Sequence, residues 1–268
     1  MLTSIKNNFP LEQIIIVDNN SSDKTVSIIH SKYPSIILIE SKTNDGYGIG
    51  NNKGIALALR YHAEYIFIIN PDIILPKNIY ANLSKTFTTD NSIGIVGPTI
   101  LDEKKMVWGQ GGVIDRVRYS GGLINLGKPF ADKGKGIVDV DYVSGTALLV
   151  KSDVFRKIGL FPTDYFLYYE DVDFSWRTKK AGFRIVINQD ETITHYASSS
   201  VGKNSPVMQY YMARNHLLFL EKFAPTFIKM RELIRLPKTL YEARKKRYEL
   251  LGIRDYFLRR FNKRDYWN

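Results

Sequence analysis

The stretch Tyr65-Ile66-Phe67-Ile68-Ile69-Asn70-Pro71-Asp72 limits what this chain can become. Its first five residues, all β-branched or aromatic, are too few for most helices and read as a strand buried on both faces. Pro71 has no N–H to give a ladder, so the strand stops before it. Asn70 and Asp72 are thus delivered at a strand's carboxyl end, where open α/β sheets bind their ligands.

The same grammar runs through the first third of the chain. Ile14-Ile15-Ile16-Val17 reads as a second buried strand, ending at Asp18-Asn19-Asn20-Ser21-Ser22-Asp23. That polar cluster is a loop, and Ser22 or Asp23 suits the N-cap of a helix over 25–31. Ser35 to Glu40 gives another strand. The glycine-rich segment 44–54 opens a helix over 55–62, and the 65–72 strand follows. Strand–helix alternation of this kind favours a mostly parallel sheet flanked by helices, an α/β fold with a Rossmann-like nucleotide-binding half. Beyond Asp72, helices are expected over 77–86, 152–158 and 171–181, with Gly182 at the C′ position of the last. Strands are expected over 93–96, 139–143, 144–150 and 183–187, with a glycine-rich insert over 109–136. From Val207 onward the chain reads as helical.

Composition excludes several classes. With no cysteine there are no disulfides and no thiolate metal sites, which fits a reducing, cytoplasmic compartment. No apolar run is long enough to span a membrane, and residues 1–13 lack the apolar region of a signal peptide. The net charge of +11 is unevenly placed. Residues 226–268 carry 13 Lys/Arg against 5 Asp/Glu, while residues 1–225 are close to balance at 25 against 22. A basic appendage on a near-neutral body argues against a nucleic-acid surface across the whole domain.

Three acidic groups stand at strand ends or helix starts: Asp18, Asp72, and Glu170-Asp171 with Asp173. A glycine-rich loop lies between the first two, without the spacing of a dinucleotide fingerprint or a P-loop. His195 lies beyond the third. Ile16-Val17-Asp18-Asn19-Asn20-Ser21-Ser22-Asp23, Asn44-x-Gly46 through Asn52-x-Gly54, Asn70-Pro71-Asp72, Gly145 ahead of Leu148-Leu149-Val150, Tyr169-Glu170-Asp171-Val172-Asp173, His195 and Arg214-Asn215 follow one another in this order. Together, over about residues 10–220, they resemble glycosyltransferase family 2, with the GT-A fold, and its rhamnosyltransferase-type branch.

The resemblance implies a sugar moved from a nucleoside-diphosphate donor, of the dTDP-rhamnose or UDP-hexose type, to a hydroxyl of a glycan or lipid-linked acceptor, with inversion. It implies Asp171 as the base, with Glu170 orienting the acceptor and Asp173 as the competing base or a helix cap. Asp18, Asn44, Gly46, Asn52, Asn70 and Arg214 fall at nucleotide-sugar-binding positions. Asp72, in a variant of the family's Asp-x-Asp, falls at the ligand position for Mg²⁺ or Mn²⁺, and His195 adds a contact to metal or diphosphate. Hard oxygen ligands suit those cations. Trp176 and the nearby tyrosines read as an acceptor platform or as core.

Relatives of this kind begin with a strand ahead of the helix that leads to Asp18, and here that first strand is missing. A domain over 1–225 is therefore expected to be N-terminally truncated, leaving the 14–17 and 65–70 strands with unpaired edges. The 226–268 segment reads as a basic amphipathic helical tail suited to the inner face of the cell membrane. A solvated extension and a homodimer contact are its alternatives. The rival functions are a nucleotidyltransferase, which wants an N-terminal glycine loop with Arg and Lys that is absent here, and an inactive relative or binding module that uses the tail.

Overall fold

The computed structural model describes residues 2–131, 136–196 and 205–266. Its first third follows the expected alternation: α1 (Leu2–Ile5), β1 (Ile15–Asp18), α2 (Thr25–Lys32), β2 (Ile37–Glu40), α3 (Tyr47–Arg60) and β3 (Tyr65–Ile69). Next come β4 (Ile73–Ile74), α4 (Ile79–Thr89), β5 (Ile93–Leu101), β6 (Val107–Gly109), β7 (Gly112–Asp115), β8 (Ser120–Leu123) and β9 (Ile137–Asp139). The chain continues through β10 (Ala147–Lys151), α5 (Ser152–Ile158), α6 (Glu170–Lys180) and β11 (Arg184–His195). It closes with α7 (Pro206–Phe223), α8 (Thr226–Ala243) and α9 (Arg247–Phe257).

The α/β class holds, but the sheet is mixed. Its main path runs β3-β10-β5-β11-β4, with β6 beside β5 and β9 beside β11. β10 enters between β3 and β5 antiparallel to both, whereas β5 and β11 are parallel. A strand buried on both faces is a continuous apolar run whichever way it points, so composition does not reveal its direction.

β1 and β2 form a separate parallel pair. Among the described residues no backbone hydrogen bond joins β1 to β3. The side-chain layers nevertheless continue from one to the other. Ile14 and Ile16 share one apolar layer with Phe67 and Ile69, together with Ile5 and Phe9 near the start of the chain. On the opposite face, α3 lies over both strands: Gly54 packs on Ile15 and Val17, and Ile55 clusters with Ile66 and Ile68. β1 stays half-buried at Ile15, Ile16 and Val17, while every residue of β5 is buried.

Helix α3 starts eight residues earlier than the sequence suggests. Gly48 and Gly50 are helical, and their lack of a Cβ serves close approach rather than a loop. A Cβ on Gly48 would stand 2.6 Å from the Pro162 carbonyl oxygen, and one on Gly50 would stand 2.5 Å from the Asn19 amide nitrogen.

The basic segment divides in two. α9 is packed on α7 so closely that a Cβ on Gly252 would stand 2.3 Å from the Tyr210 carbonyl oxygen. Asp255 of α9 is fully buried and accepts a hydrogen bond from the Tyr210 hydroxyl at 2.8 Å. α8, by contrast, leaves Phe227, Met230, Leu233, Ile234 and Tyr241 exposed.

Candidate active site

Backbone topology explains why the acidic groups meet. Asp18 ends β1, buried at 5% exposure, and its carboxylate accepts hydrogen bonds from the Ser21 hydroxyl (2.5 Å) and the Ser21 N–H (3.0 Å). The next residue, Asn19, donates its side-chain amide to the Gly46 carbonyl at 3.2 Å. Gly46 takes φ +90°, and a Cβ there would press on the Phe166 carbonyl oxygen, so glycine is required on both counts. Tyr47 donates its N–H to that same carbonyl at 2.8 Å and its hydroxyl to the Gly145 carbonyl at 2.5 Å. Gly145 N–H in turn donates to Asp171 Oδ2 at 2.8 Å. Thr146, the next residue, accepts the Asn70 N–H at 3.0 Å. A single run of contacts therefore joins the Asp18 loop, the start of α3, the Gly145 turn, the start of α6 and the end of β3.

Asp72 is placed by the short strand that follows it. β4 pairs with β11 so that Ile73 stands opposite His195, and the Asp72 carbonyl accepts the Tyr196 N–H. Asp72 Oδ2 comes within 3.2 Å of His195 Nε2. The imidazole is 7% exposed, with the Trp108 ring edge-on at 4.8 Å. Asp72 Oδ1 and His195 Nδ1 are buried with no protein hydrogen-bond partner, an expensive state unless a ligand engages them.

The loop before α6 presents the acids. Phe166, Tyr168 and Tyr169 all adopt positive φ (67°, 67° and 78°), a conformation costly for bulky side chains. The loop is held from α7, where the buried Asn215 side-chain amide donates to the carbonyls of Tyr165, Leu167 and Tyr168. Asp171 is half-buried, and its other oxygen, Oδ1, accepts the Val172 N–H at 2.8 Å. Burial pushes the Asp171 carboxyl up, against the pull of the N–H donors of Gly145 and Val172. Glu170 is driven well above the usual carboxylate range, first by burial and then by the neighbouring Asp171 charge, and its Oε2 is unpartnered.

Several expected site residues prove to be structural. Asp173 is 1% exposed and held by Tyr165 Oη (3.0 Å), Arg177 Nε (2.7 Å) and Lys222 Nζ (3.2 Å), an enclosure that speaks against it as the base. Arg214 does not face a diphosphate. It is fully buried, donating Nη2 to the Tyr165 carbonyl (2.5 Å) and Nη1 to the carbonyls of Arg260 (3.3 Å) and Asn262 (3.1 Å). Both ends of the Asn52 amide are bound to the Phe161 backbone at 2.9 and 3.0 Å, which pins α3 to the segment before the acids. Asn44 caps the Gly46 N–H at 3.1 Å. Trp176 is core, enclosed by Tyr119, Phe219 and Phe223 with Arg116 over its ring. Tyr47, Asn19 and Asn215 fall inside the quoted motifs, but sequence reasoning gave none of them a role of its own.

With this geometry in hand, the likeness to known proteins is specific. Over 210 residues the chain is 25% identical to the low-salt glycan biosynthesis hexosyltransferase Agl10 of Haloferax volcanii, covering 78% of this chain and 64% of that protein. Over 212 residues it is 26% identical to an N-acetylglucosaminyl-diphospho-decaprenol L-rhamnosyltransferase of Mycobacterium tuberculosis, covering 71% and 68% respectively. The matched stretch thus spans about two thirds of these relatives. A mannosyltransferase from Pyrobaculum calidifontis, solved in complex with GDP-Man and Mn²⁺, superposes with a TM-score of 0.55 at 18% identity. That match covers 84% of this chain and 60% of the mannosyltransferase, and it is a likeness of fold, the GT-A fold. The model of glycosyl transferase family 2 matches residues 1–159, more than half of the chain. This protein belongs to that family.

Proposed function

We propose that this chain transfers a sugar from a nucleoside-diphosphate donor of the dTDP-rhamnose or UDP-hexose type to a hydroxyl of a glycan or lipid-linked acceptor, with inversion. The observation that carries this reading is the Asp171 carboxylate, half-buried, gripped at both oxygens by backbone N–H groups and linked through Gly145 and Thr146 to the end of β3. Each of its oxygens keeps a second lone pair. One of them takes the proton from the acceptor hydroxyl as that oxygen attacks the anomeric carbon, and the bond to the diphosphate breaks on the opposite face. Glu170 lines the acceptor side. Asp18 and Asn70 line the donor side.

Asp72 and His195 are the residues that would hold a divalent cation. Adjacent ligands of an octahedral Mg²⁺ or Mn²⁺ stand about 3 Å apart, close to the 3.2 Å separation of Asp72 Oδ2 and His195 Nε2. The unpartnered Asp72 Oδ1 offers a further hard donor. No group of three or more His, Cys, Asp or Glu side chains surrounds a metal position among the described residues. Asp72 and His195 would supply two protein ligands to the cation. Such a cation, when bound, offsets the charge that develops on the leaving diphosphate.

A screen of dTDP- and UDP-sugars for thermal stabilisation tests the reading. A true donor with Mn²⁺ at a hundred times its Kd adds about 2.7 kcal/mol, or roughly 5–10 °C for a chain of this size. The shift should shrink without Mn²⁺ and in Asp72→Ala. No shift with any nucleotide sugar would favour the binding-module alternative.

Peripheral attachment to an anionic membrane surface fits the outer side of α8. Phe227 and Ile234 are 70% and 77% exposed, with Met230 and Leu233 beside them and Lys229, Arg231, Arg235 and Lys238 on the same helix. An apolar groove of about 430 Å³ between α8 and α9, lined by Leu236, Leu240, Leu250, Leu251, Ile253 and Phe257, continues that surface. No helix among the described residues is long and apolar enough to cross a membrane. Phe227→Ser with Ile234→Ser should lower co-sedimentation with phosphatidylserine-containing vesicles on the order of 100-fold, with unchanged melting. Equal binding by the variant and the parent would remove the membrane from this account.

A further inference from the structure

We propose that Tyr47 is a positioning residue for the Asp171 base: its hydroxyl, by holding the Gly145 carbonyl, fixes the Gly145 N–H that grips the Asp171 carboxylate. The inference rests on the assignment of Asp171 as the base and adds a residue to it.

Tyr47 stands where three segments converge. Its N–H donates to the Phe166 carbonyl at 2.8 Å, on the loop leading to α6. Its own carbonyl accepts the Asn51 amide at 2.9 Å inside α3. Its hydroxyl reaches 98 residues along the chain to the Gly145 carbonyl at 2.5 Å, and its ring meets Phe161 edge-on. The first residue of the glycine-rich helix is therefore tied both to Gly145 and to the loop that leads into α6.

Gly145 needs such a hold. Glycine leaves both backbone dihedrals of its residue free, so an N–H donated from it aims poorly unless its far side is pinned. A Cβ on Gly145 would stand 2.7 Å from the Tyr47 hydroxyl oxygen, which explains why the residue is glycine and why the two are in contact. Burial raises the Tyr47 hydroxyl well above its ordinary value, so it remains protonated and a donor throughout the working range. A base displaced by a fraction of an ångström loses rate without losing substrate.

The test is nucleoside-diphosphate release from dTDP-rhamnose and UDP-glucose in Mn²⁺, measured for full-length Tyr47→Phe, Gly145→Ala, Asp171→Asn and the two double variants. The expected result is a kcat about tenfold lower in Tyr47→Phe and in Gly145→Ala, with the donor KM changed by less than twofold. Combined with Asp171→Asn, neither change should lower kcat further, because the group it acts through is already gone. Unchanged kcat in Tyr47→Phe overturns the proposal. So does a loss that multiplies with that of Asp171→Asn, a loss carried by KM, or failure of both single variants to fold, since each makes the hydroxyl a structural contact only. Wild-type kcat in Asp171→Asn would instead sink the base assignment. A parent chain that turns over neither donor overturns both.

Discussion

Asp171→Asn is expected to lower turnover by about 10²–10⁴-fold, as the loss of the proposed base, and to leave nucleoside-diphosphate affinity where it was. The amide keeps the volume of the carboxylate, so the Gly145 and Val172 N–H groups lose only part of their partner and the start of α6 stays in place. What disappears is the proton acceptor. The pH dependence of the parent enzyme follows from the same carboxyl. Burial raises it, so a protonated, inactive form persists to higher pH than for an ordinary aspartate. Activity is then lost as pH falls through that raised value and is fully present above it. The Asp171 charge in turn helps to raise the Glu170 carboxyl and the hydroxyls of Tyr47, Tyr142 and Tyr169, each of them pushed up first by burial. A kcat profile whose acid limb sits at or below the usual aspartate range contradicts this account. Asp173→Asn is the comparison that discriminates. It removes the charge that Arg177 and Lys222 pair with and one of the two acceptor oxygens, so its loss should appear in melting before it appears in chemistry.

Arg214→Met is expected to cost about 3–5 kcal/mol of folding stability, among the largest effects open to a single substitution here. The guanidinium is buried among Tyr210, Tyr211 and Phe261, and it supplies hydrogen bonds to three backbone carbonyls from two distant segments. Methionine replaces most of the volume and none of the donors, stranding those carbonyls. Arg214→Lys does only slightly better, because one ammonium cannot serve both directions of the fork. Urea denaturation measures the cost, and a loss below about 1 kcal/mol would show that water or neighbouring donors satisfy the carbonyls instead. Since the Tyr165 carbonyl belongs to the loop ahead of Glu170, activity should fall with stability.

How much of this was legible depended on the range of the forces involved. The end of β3 was readable because a β-branched run followed by proline is a local signal, and it placed Asn70 and Asp72 correctly at a strand terminus. The start of α3 was not, because glycines at 46, 48, 50 and 54 suggest a flexible loop when only sequence neighbours are considered. Their reason lies across the fold, in Phe166, Pro162 and Asn19. Asp171 and Asp173 were indistinguishable in the sequence for the same reason. Lys222 and Tyr165, which close off Asp173, lie 49 and 8 residues away, while Gly145, which leaves Asp171 half-open, lies 26 away. Arg214 looked like a phosphate-facing charge, since nothing local announces that the carbonyls of Arg260 and Asn262 will come to meet it.

The interruption between β1 and β3 bears on how firmly each carboxylate is seated. A sheet is stiff because every strand is laced to its neighbours by directional bonds; apolar contact alone resists separation but allows sliding. Asp72 and the Gly145 anchor of Asp171 are rooted in the laced seven-strand body. Asp18 rides on a two-strand raft attached by side-chain packing, by the Asn19 amide and by Lys53 of α3, which donates to the Ser41 hydroxyl just past β2. Of the three acids it has the softest mounting, so a bound nucleoside would have to stiffen the raft as well as touch it.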